Sequence, residues 1–190
     1  DRYRQWLQTN VMEQKQKGYY AVGLKVSNGD IKAPQARIIA DLASQFASED
    51  MRITMNQGLL LKFVLPKALP YVYSVLDSLG FATPGFATIA DITTCPGTDT
   101  CNLGVTNSMT LAKILEDVIH AEYEHLIFDN KIDIKMSGCM NSCGQHMAAN
   151  IGLHGSSIKV GDKVAPAMQV SLGCGVGPDS IGAAGDKIVK

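Results

Sequence analysis

Two pairs of cysteines are the residues whose type and spacing most directly suggest chemistry. Cys95 and Cys101 stand in the segment TCPGTDTC, and Cys139 and Cys143 stand in SGCMNSCGQH. The pattern is C-x5-C, an interval of 37 residues, and C-x3-C. The chain has only 5 cysteines in 190 residues, so these pairs indicate metal ligands or redox groups before they indicate structural disulfides.

The spacing favours an iron–sulfur cluster over a single zinc ion. Zinc ribbons and fingers usually place two to four residues within each pair and about a dozen to twenty between the pairs. A [4Fe–4S] cube takes one thiolate at each iron, which suits four thiols on two separated loops. Gly97, Gly104, Gly138 and Gly144 let the backbone approach a cluster and direct N–H groups at its sulfurs. Zinc and unpaired structural thiols are the alternatives.

The composition excludes several classes of partner. Hydrophobic residues make up 46% of the chain and charged residues 18%, and the net charge is -1, so no attraction to nucleic acid or to an anionic membrane is expected. No apolar run approaches the length of a membrane span, and the amino-terminal segment has no apolar core of a secretory signal. We therefore expect a cytoplasmic protein. Because the chain begins with Asp, we also expect it to be part of a longer polypeptide.

Residues 18–85 predict a ferredoxin-like half-domain. Residues 1–17 are polar, and we expect them to form a leader or linker arm. The order strand–helix–strand–strand–helix–strand that follows is the split βαββαβ pattern. The predicted elements are helices that begin near Pro34 and Pro66 and strands over 19–26, 51–55, 59–64 and 86–92.

Residues 86–190 predict a second, mixed α/β domain that carries the cysteines, so the whole chain is assigned to the α+β class. Ser108 is the expected N-cap of a helix whose apolar stripe runs from Leu111 to Leu126. A strand over 131–136 leads directly into the second cysteine loop. Further short strands are expected over 151–155, 158–160 and 165–173.

The cysteine segments resemble those of a known family. TCPGTDTCNLGVTNS and SGCMNSCGQH are similar to the two cluster-binding signatures of the assimilatory sulfite and nitrite reductases, which carry sirohaem. Upstream, WLQTN, GYYAV, GDIKAPQARIIADLA and MRITMNQGLLLKFV resemble the ferredoxin-like half-domain that precedes the cluster domain. That family is built by internal duplication, and the chain resembles its C-terminal half. The resemblance therefore implies an N-terminal half as a partner.

The resemblance implies a role for each paired cysteine. Cys95, Cys101, Cys139 and Cys143 match the ligands of the [4Fe–4S] cluster. Cys143 matches the cysteine whose thiolate also bridges to the sirohaem iron. Met140 stands where the family often has proline, and the ligand spacing is unchanged. We expect only a local difference in the loop.

Four further residues match positions that face sirohaem in the family: Arg52, Asn56 and Gln57 in RITMNQ, and Asn141 between the later cysteines. Sirohaem carries many carboxylates, which need cations and amide donors. Without the resemblance, the three earlier residues are better interpreted as the exposed face and turn of a hairpin.

Several other polar residues are interpreted as structural. Lys62 and Lys135 are expected to be strand-edge charges, and His146 a structural histidine beside the cluster loop. Cys174, where the family commonly has glycine, is expected to pack as a small apolar side chain.

The resemblance implies multi-electron reduction of sulfite or nitrite, a small oxyanion, at the sirohaem iron. Electrons would come from an external ferredoxin or flavoprotein, and much of the oxyanion-binding charge from the N-terminal half. The isolated chain is therefore expected to be inactive. Two alternatives are a [4Fe–4S] electron-transfer module without sirohaem and a non-catalytic structural half.

Overall fold

The computed structural model describes residues 1–129, 132–173, 175 and 185–189. The chain divides into two units, Asp1–Thr88 and Ile89–Lys190, and each has its own hydrophobic core. Cys174 lies outside the described residues. Among the residues that the structure describes, no helix has the length and apolar character needed to span a membrane.

The first unit is a four-stranded antiparallel sheet with helices. Its strand order is β1-β2-β4-β3, in which β2, β4 and β3 have the relative order expected for a ferredoxin-like half-domain. Pro34 lies in the first turn of α2, where the missing N–H costs nothing, and Gly80 ends α3 with a φ of 83°. The elements are α1 (Arg2–Asn10), β1 (Val11–Glu13), β2 (Tyr20–Leu24), α2 (Ala33–Phe46), β3 (Met51–Ile53), β4 (Leu59–Val64) and α3 (Leu69–Leu79).

The edge of this sheet differs from the prediction. Residues 86–92 form turns rather than the expected closing strand, and β1 occupies the edge beside β2, with Val11 opposite Val22. The Phe86 side chain packs on the sheet, and its backbone lies in a turn rather than in a strand. Its ring lies so close to Gly23 and Gly58 that a Cβ at either position would overlap it. Phe86 therefore covers the sheet without extending it, whereas Ile89, Ala90 and Ile92 belong to the hydrophobic core of the second unit.

The expected leader over residues 1–17 is instead part of the fold, because it contains α1 and β1. The Trp6 side chain is 0% exposed, and its ring centroid lies 5.9 Å from that of Tyr3 and 5.2 Å from that of Tyr73. Asn10 is also 0% exposed, and its amide donates to the carbonyls of Gly23 and Thr83, both at 3.1 Å. The polar composition of residues 1–17 gave no indication that one face of α1 is buried.

In the second unit, the described residues form a mixed sheet of order β5-β6-β7-β8-β9. The first three strands are parallel and the last three antiparallel. Met136, on the strand Ile134–Ser137, is 0% exposed and lies in the core with Ile119 of the helix Ser108–Glu122. The elements are β5 (Thr93–Thr94), α4 (Ser108–Glu122), α5 (His125–Asp129), β6 (Ile134–Ser137), β7 (Ile151–Val160), β8 (Lys163–Leu172) and β9 (Asp186–Val189).

Local details of this unit also differ from the prediction. Asn107, not Ser108, is the N-cap of α4, since its side chain accepts from the Thr110 N–H at 3.0 Å. Ser108 is buried and donates instead to the Cys95 carbonyl at 2.7 Å. The apolar stripe is divided between α4 and α5, and the two short strands expected over 151–160 form the single strand β7.

Because Trp6 is fully buried among aromatic rings, Trp6→Ala should lower the free energy of unfolding of the first unit by about 3–5 kcal/mol. Ile53→Ala is the control, since Ile53 is 84% exposed and its loss should change stability by less than about 0.5 kcal/mol. Urea unfolding, followed by far-ultraviolet circular dichroism so that the signal does not depend on the tryptophan, measures the free energy of unfolding of both variants. Equal midpoints for the two variants would show that residues 2–10 do not belong to the folded unit.

Candidate metal centre

The two cysteine loops leave neighbouring parallel strands at the same edge of the second sheet. Thr94, the last residue of β5, is in register with Met136 of β6. Cys95 follows β5 directly, and its N–H continues the pairing by donating to the Met136 carbonyl at 3.2 Å. Cys139 follows the end of β6 after Gly138. The sheet therefore delivers both loops to the same place.

Gly138 holds the first loop against the second. Its carbonyl accepts from the N–H groups of Val105 at 2.8 Å and Thr106 at 3.1 Å. A Cβ on Gly138 would overlap the Gly97 Cα, and a Cβ on Gly104 would overlap the Gly97 backbone. Gly97 itself has a φ of 55°, which glycine adopts readily. The loops approach this closely because these positions lack side chains.

The sulfurs lie on the accessible side of these loops. Cys95 and Cys139 are half-buried, Cys101 and Cys143 are exposed, and all four are free thiols. The Gly138 N–H donates to the Cys95 Sγ at 3.1 Å, which is the arrangement that stabilises a thiolate ligand.

The donor set fits an iron–sulfur cluster. A [4Fe–4S] cube takes one thiolate at each of its four irons. Four free thiols on adjacent loops, with a backbone N–H directed at one of them, fit the cube.

A polar layer lies beneath the second loop. Ser137 Oγ accepts from the Gly144 N–H at 3.0 Å and lies 3.0 Å from His146 Nδ1. Lys135, two residues earlier on the same face of β6, donates from Nζ to Gln145 Oε1 at 2.8 Å. These contacts fix the backbone that follows Cys143. Sequence reasoning missed Ser137, although the alternation of KIDIKMS could have placed it on the same face as Lys135.

The two lysines expected at strand edges are on interior strands. β6 lies between β5 and β7, and Lys135 is only 3% exposed. β4 lies between β2 and β3, where Lys62 pairs with Asp50 at 3.0 Å. The expectation failed because sheet order, which depends on distant segments, decides which strands are edges.

His146 is a structural histidine, as expected. It is 2% exposed, and its ring centroid lies 4.7 Å from that of His154. Burial, followed by the positive charge that His154 and Lys187 can carry, lowers the pKa of His146 from 6.5 to about 4. Ser137 Oγ accepts from the Gly144 N–H and also contacts His146 Nδ1, and either member of that second pair can be the donor.

The residues expected to face sirohaem fall in both units. Arg52 lies on β3 with a 65% exposed side chain, 3.5 Å from Asp50. Asn56 and Gln57 are half-buried in the turn after β3, and Gln57 has a φ of 63°. One hairpin of the first unit thus carries these three residues. Asn141 is exposed in the second cysteine loop of the other unit.

Two family profiles match the chain. The nitrite/sulfite reductase ferredoxin-like half domain matches residues 12–79, and the nitrite and sulphite reductase 4Fe-4S domain matches residues 85–186. The chain belongs to the nitrite and sulphite reductase family. This confirms the resemblance found in the sequence, and the description of the second domain agrees with the predicted [4Fe–4S] cluster.

Individual relatives agree with this family assignment. The chain is 26% identical to the ferredoxin–nitrite reductase of Synechococcus elongatus over 90% of its own length and 33% of that enzyme. It is 28% identical to a sulfite reductase [ferredoxin] of Mycolicibacterium paratuberculosis, covering 86% of the chain and 30% of the relative. The solved structure of the Mycobacterium tuberculosis NirA protein matches with a TM-score of 0.81 and 26% identity, over 96% of this chain and 33% of that one. This reductase-family chain therefore spans about a third of the length of its relatives.

The lowered pKa of His146 predicts a loss of stability in acid. Its folded-state pKa of about 4 lies below the unfolded value of 6.5, so the unfolded state takes up the proton first as the pH falls. The stabilisation is complete above pH 6.5 and is lost as the pH falls towards 4. By about pH 5 the loss is on the order of 2 kcal/mol.

Unfolding of the reductase-family chain at a series of pH values measures this effect. The His146→Gln variant should lack this part of the acid dependence, whereas His125→Gln, which changes an exposed histidine, should retain it. An unchanged pH profile in His146→Gln would show that His146 is not held neutral by its surroundings.

Proposed function

We propose that this chain is the C-terminal half of a sirohaem–[4Fe–4S] reductase that reduces sulfite or nitrite by multi-electron transfer. The observation that carries the proposal is the contact of Gly138 with the first cysteine loop, which places four free thiols on adjacent loops. The family assignment and the names of relatives, which include both nitrite and sulfite reductases, support the same reaction class.

Each cysteine has a defined role in this proposal. Cys95, Cys101, Cys139 and Cys143 ligate one iron each, and the Gly138 N–H stabilises the charge on the Cys95 sulfur. Cys143 also bridges to the sirohaem iron, and its exposure in the loop supports a sulfur that can meet a second group. When bound, the paired cofactors would relay the electrons of the external donor and supply the iron at which the oxyanion is reduced.

Arg52, Asn56, Gln57 and Asn141 bind the carboxylates of sirohaem in this proposal. The Arg52 guanidinium is largely exposed and offers several donors to a carboxylate, and within the described residues its ionic contact is with the exposed Asp50. The amides of the other three provide neutral donors. Of these four, Asn141 lies in the same loop as the proposed bridging cysteine.

The proposed partners are the N-terminal half of the same reductase and an external electron donor. Ile53 is 84% exposed and Met55 74% exposed, beside Arg52, which supports cover by another polypeptide segment. The relatives named as ferredoxin enzymes favour a ferredoxin over a flavoprotein as donor. We place the reaction in the cytoplasm, and we propose that the chain alone is inactive because the N-terminal half supplies much of the oxyanion-binding charge.

Serine variants of the cysteines test the ligand assignment. Cys95→Ser, Cys101→Ser and Cys139→Ser should each lose the cluster, because a neutral hydroxyl replaces a thiolate at iron. Iron and labile sulfide are assayed after anaerobic purification. Cys143→Ser should disturb the sirohaem spectrum as well as the cluster, because its sulfur is shared.

Met140→Pro is the matched control in the same loop, because Met140 is 78% exposed and carries no proposed ligand role. It should keep both cofactors. Full retention of iron and sulfide in the first three variants would refute the cluster. A Cys143→Ser protein with a normal sirohaem spectrum and no cube would refute the bridge, and a wild-type protein with a cube but no sirohaem would support an electron-transfer module instead.

A further inference from the structure

A buried cation lies beneath the second cysteine loop. Lys135 of β6 is 3% exposed, and its ammonium donates to the Gln145 side chain at 2.8 Å. In the part of the chain that the structure describes, no carboxylate lies within ion-pair distance of this ammonium. Its partner there is a neutral amide.

A buried ammonium with only a neutral partner is costly, because burial removes most of its hydration. Such a charge is stabilised by an anion held nearby. Lys62 and Lys113, in contrast, pair with the carboxylates of Asp50 and Asp117 at 3.0 Å, and both lysines are more exposed than Lys135. Lys135 therefore differs from them in both burial and charge compensation.

The position of Lys135 suggests which anion compensates its charge, because the lysine lies next to the loop that carries Cys143. Gln145, its hydrogen-bond partner, stands two residues after Cys143. Ser137 shares the same face of β6 and binds the Gly144 N–H at 3.0 Å. The ammonium thus lies on the side of the strand that faces the backbone leaving Cys143.

We propose that Lys135 is a positioning residue for the second cysteine loop and the fixed counter-charge of the [4Fe–4S] cluster that the loop holds. This inference rests on the proposed function. A cube with four thiolate ligands is an anion, and its reduction adds one negative charge. The ammonium lowers the free energy of the reduced form more than that of the oxidised form, and so raises the reduction potential.

The contact with Gln145 gives Lys135 a second effect, which does not require the cluster. Gln145 has a left-handed φ of 60° and an exposed side chain, so the loop at this point is not fixed by burial of Gln145. The hydrogen bond to Lys135 supplies that constraint. Loss of Lys135 therefore increases the mobility of the residues that follow Cys143.

The test compares Lys135→Met with Lys159→Gln in the protein purified anaerobically from its source organism. Lys159 lies on β7 of the same sheet but is exposed, so water screens its charge. The cluster of Lys135→Met should bind its electron at least tenfold more weakly, a fall of about 59 mV for one electron. Lys159→Gln should keep the wild-type potential, measured by redox titration followed by electron paramagnetic resonance.

Amide hydrogen exchange provides a readout independent of the cluster. After removal of iron, the Gln145 amide and its neighbours should exchange faster in Lys135→Met than in wild type and at the wild-type rate in Lys159→Gln. If Lys135→Met does not fold, Lys135→Arg replaces it and should keep the wild-type potential because the charge is retained. If the cluster of Lys135→Arg bound its electron tenfold more weakly or more tightly than the wild-type cluster, Lys135 would not be its counter-charge.

The outcomes separate this inference from the proposed function. A wild-type protein that holds no cluster would refute the proposed function, and the exchange experiment would still decide the positioning role. A wild-type cluster with the same potential in Lys135→Met, together with unchanged exchange at Gln145, would overturn the inference and leave the proposed function intact.

Discussion

The site depends on the close approach of two backbones at Gly138. Its carbonyl accepts two N–H groups from the first cysteine loop, its N–H donates to the Cys95 sulfur, and its missing side chain admits Gly97. Gly155 on β7 is also required to be small, because a Cβ there would overlap the Gly138 carbonyl oxygen. One residue thus joins both loops to the sheet. A side chain at Gly138 would separate the thiols that we assign to one cluster.

The sheet beneath the loops extends this constraint to the electrostatics of the site. Ser137 and Lys135 point from β6 towards residues 144–146 and fix the backbone after Cys143. His146 is kept neutral by burial, so the buried charge at this point is that of Lys135. In the function that we propose, these features hold an anionic cofactor in place and stabilise its added electron.

Local sequence patterns predicted the elements whose signals are local. The strand over 59–64, the helix that begins near Pro34 and the glycine-rich cysteine loops all follow from periodicity, proline and spacing. Features that depend on distant partners were not predictable in this way. The burial of Trp6 requires Tyr73, and the use of Phe86 for packing requires Gly23 and Gly58. Ser108 fits the pattern of an N-cap, but its hydroxyl donates to the carbonyl of the distant Cys95, and Asn107 caps the helix.

The most direct test of the account is the cofactor content of the wild-type protein purified without oxygen. Iron, labile sulfide and zinc would be quantified, and the visible spectrum recorded on the same sample. A sirohaem–[4Fe–4S] protein should contain iron and labile sulfide in the proportion of the cluster and show intense macrocycle bands from sirohaem. Stoichiometric zinc, with neither labile sulfide nor macrocycle bands, would contradict it.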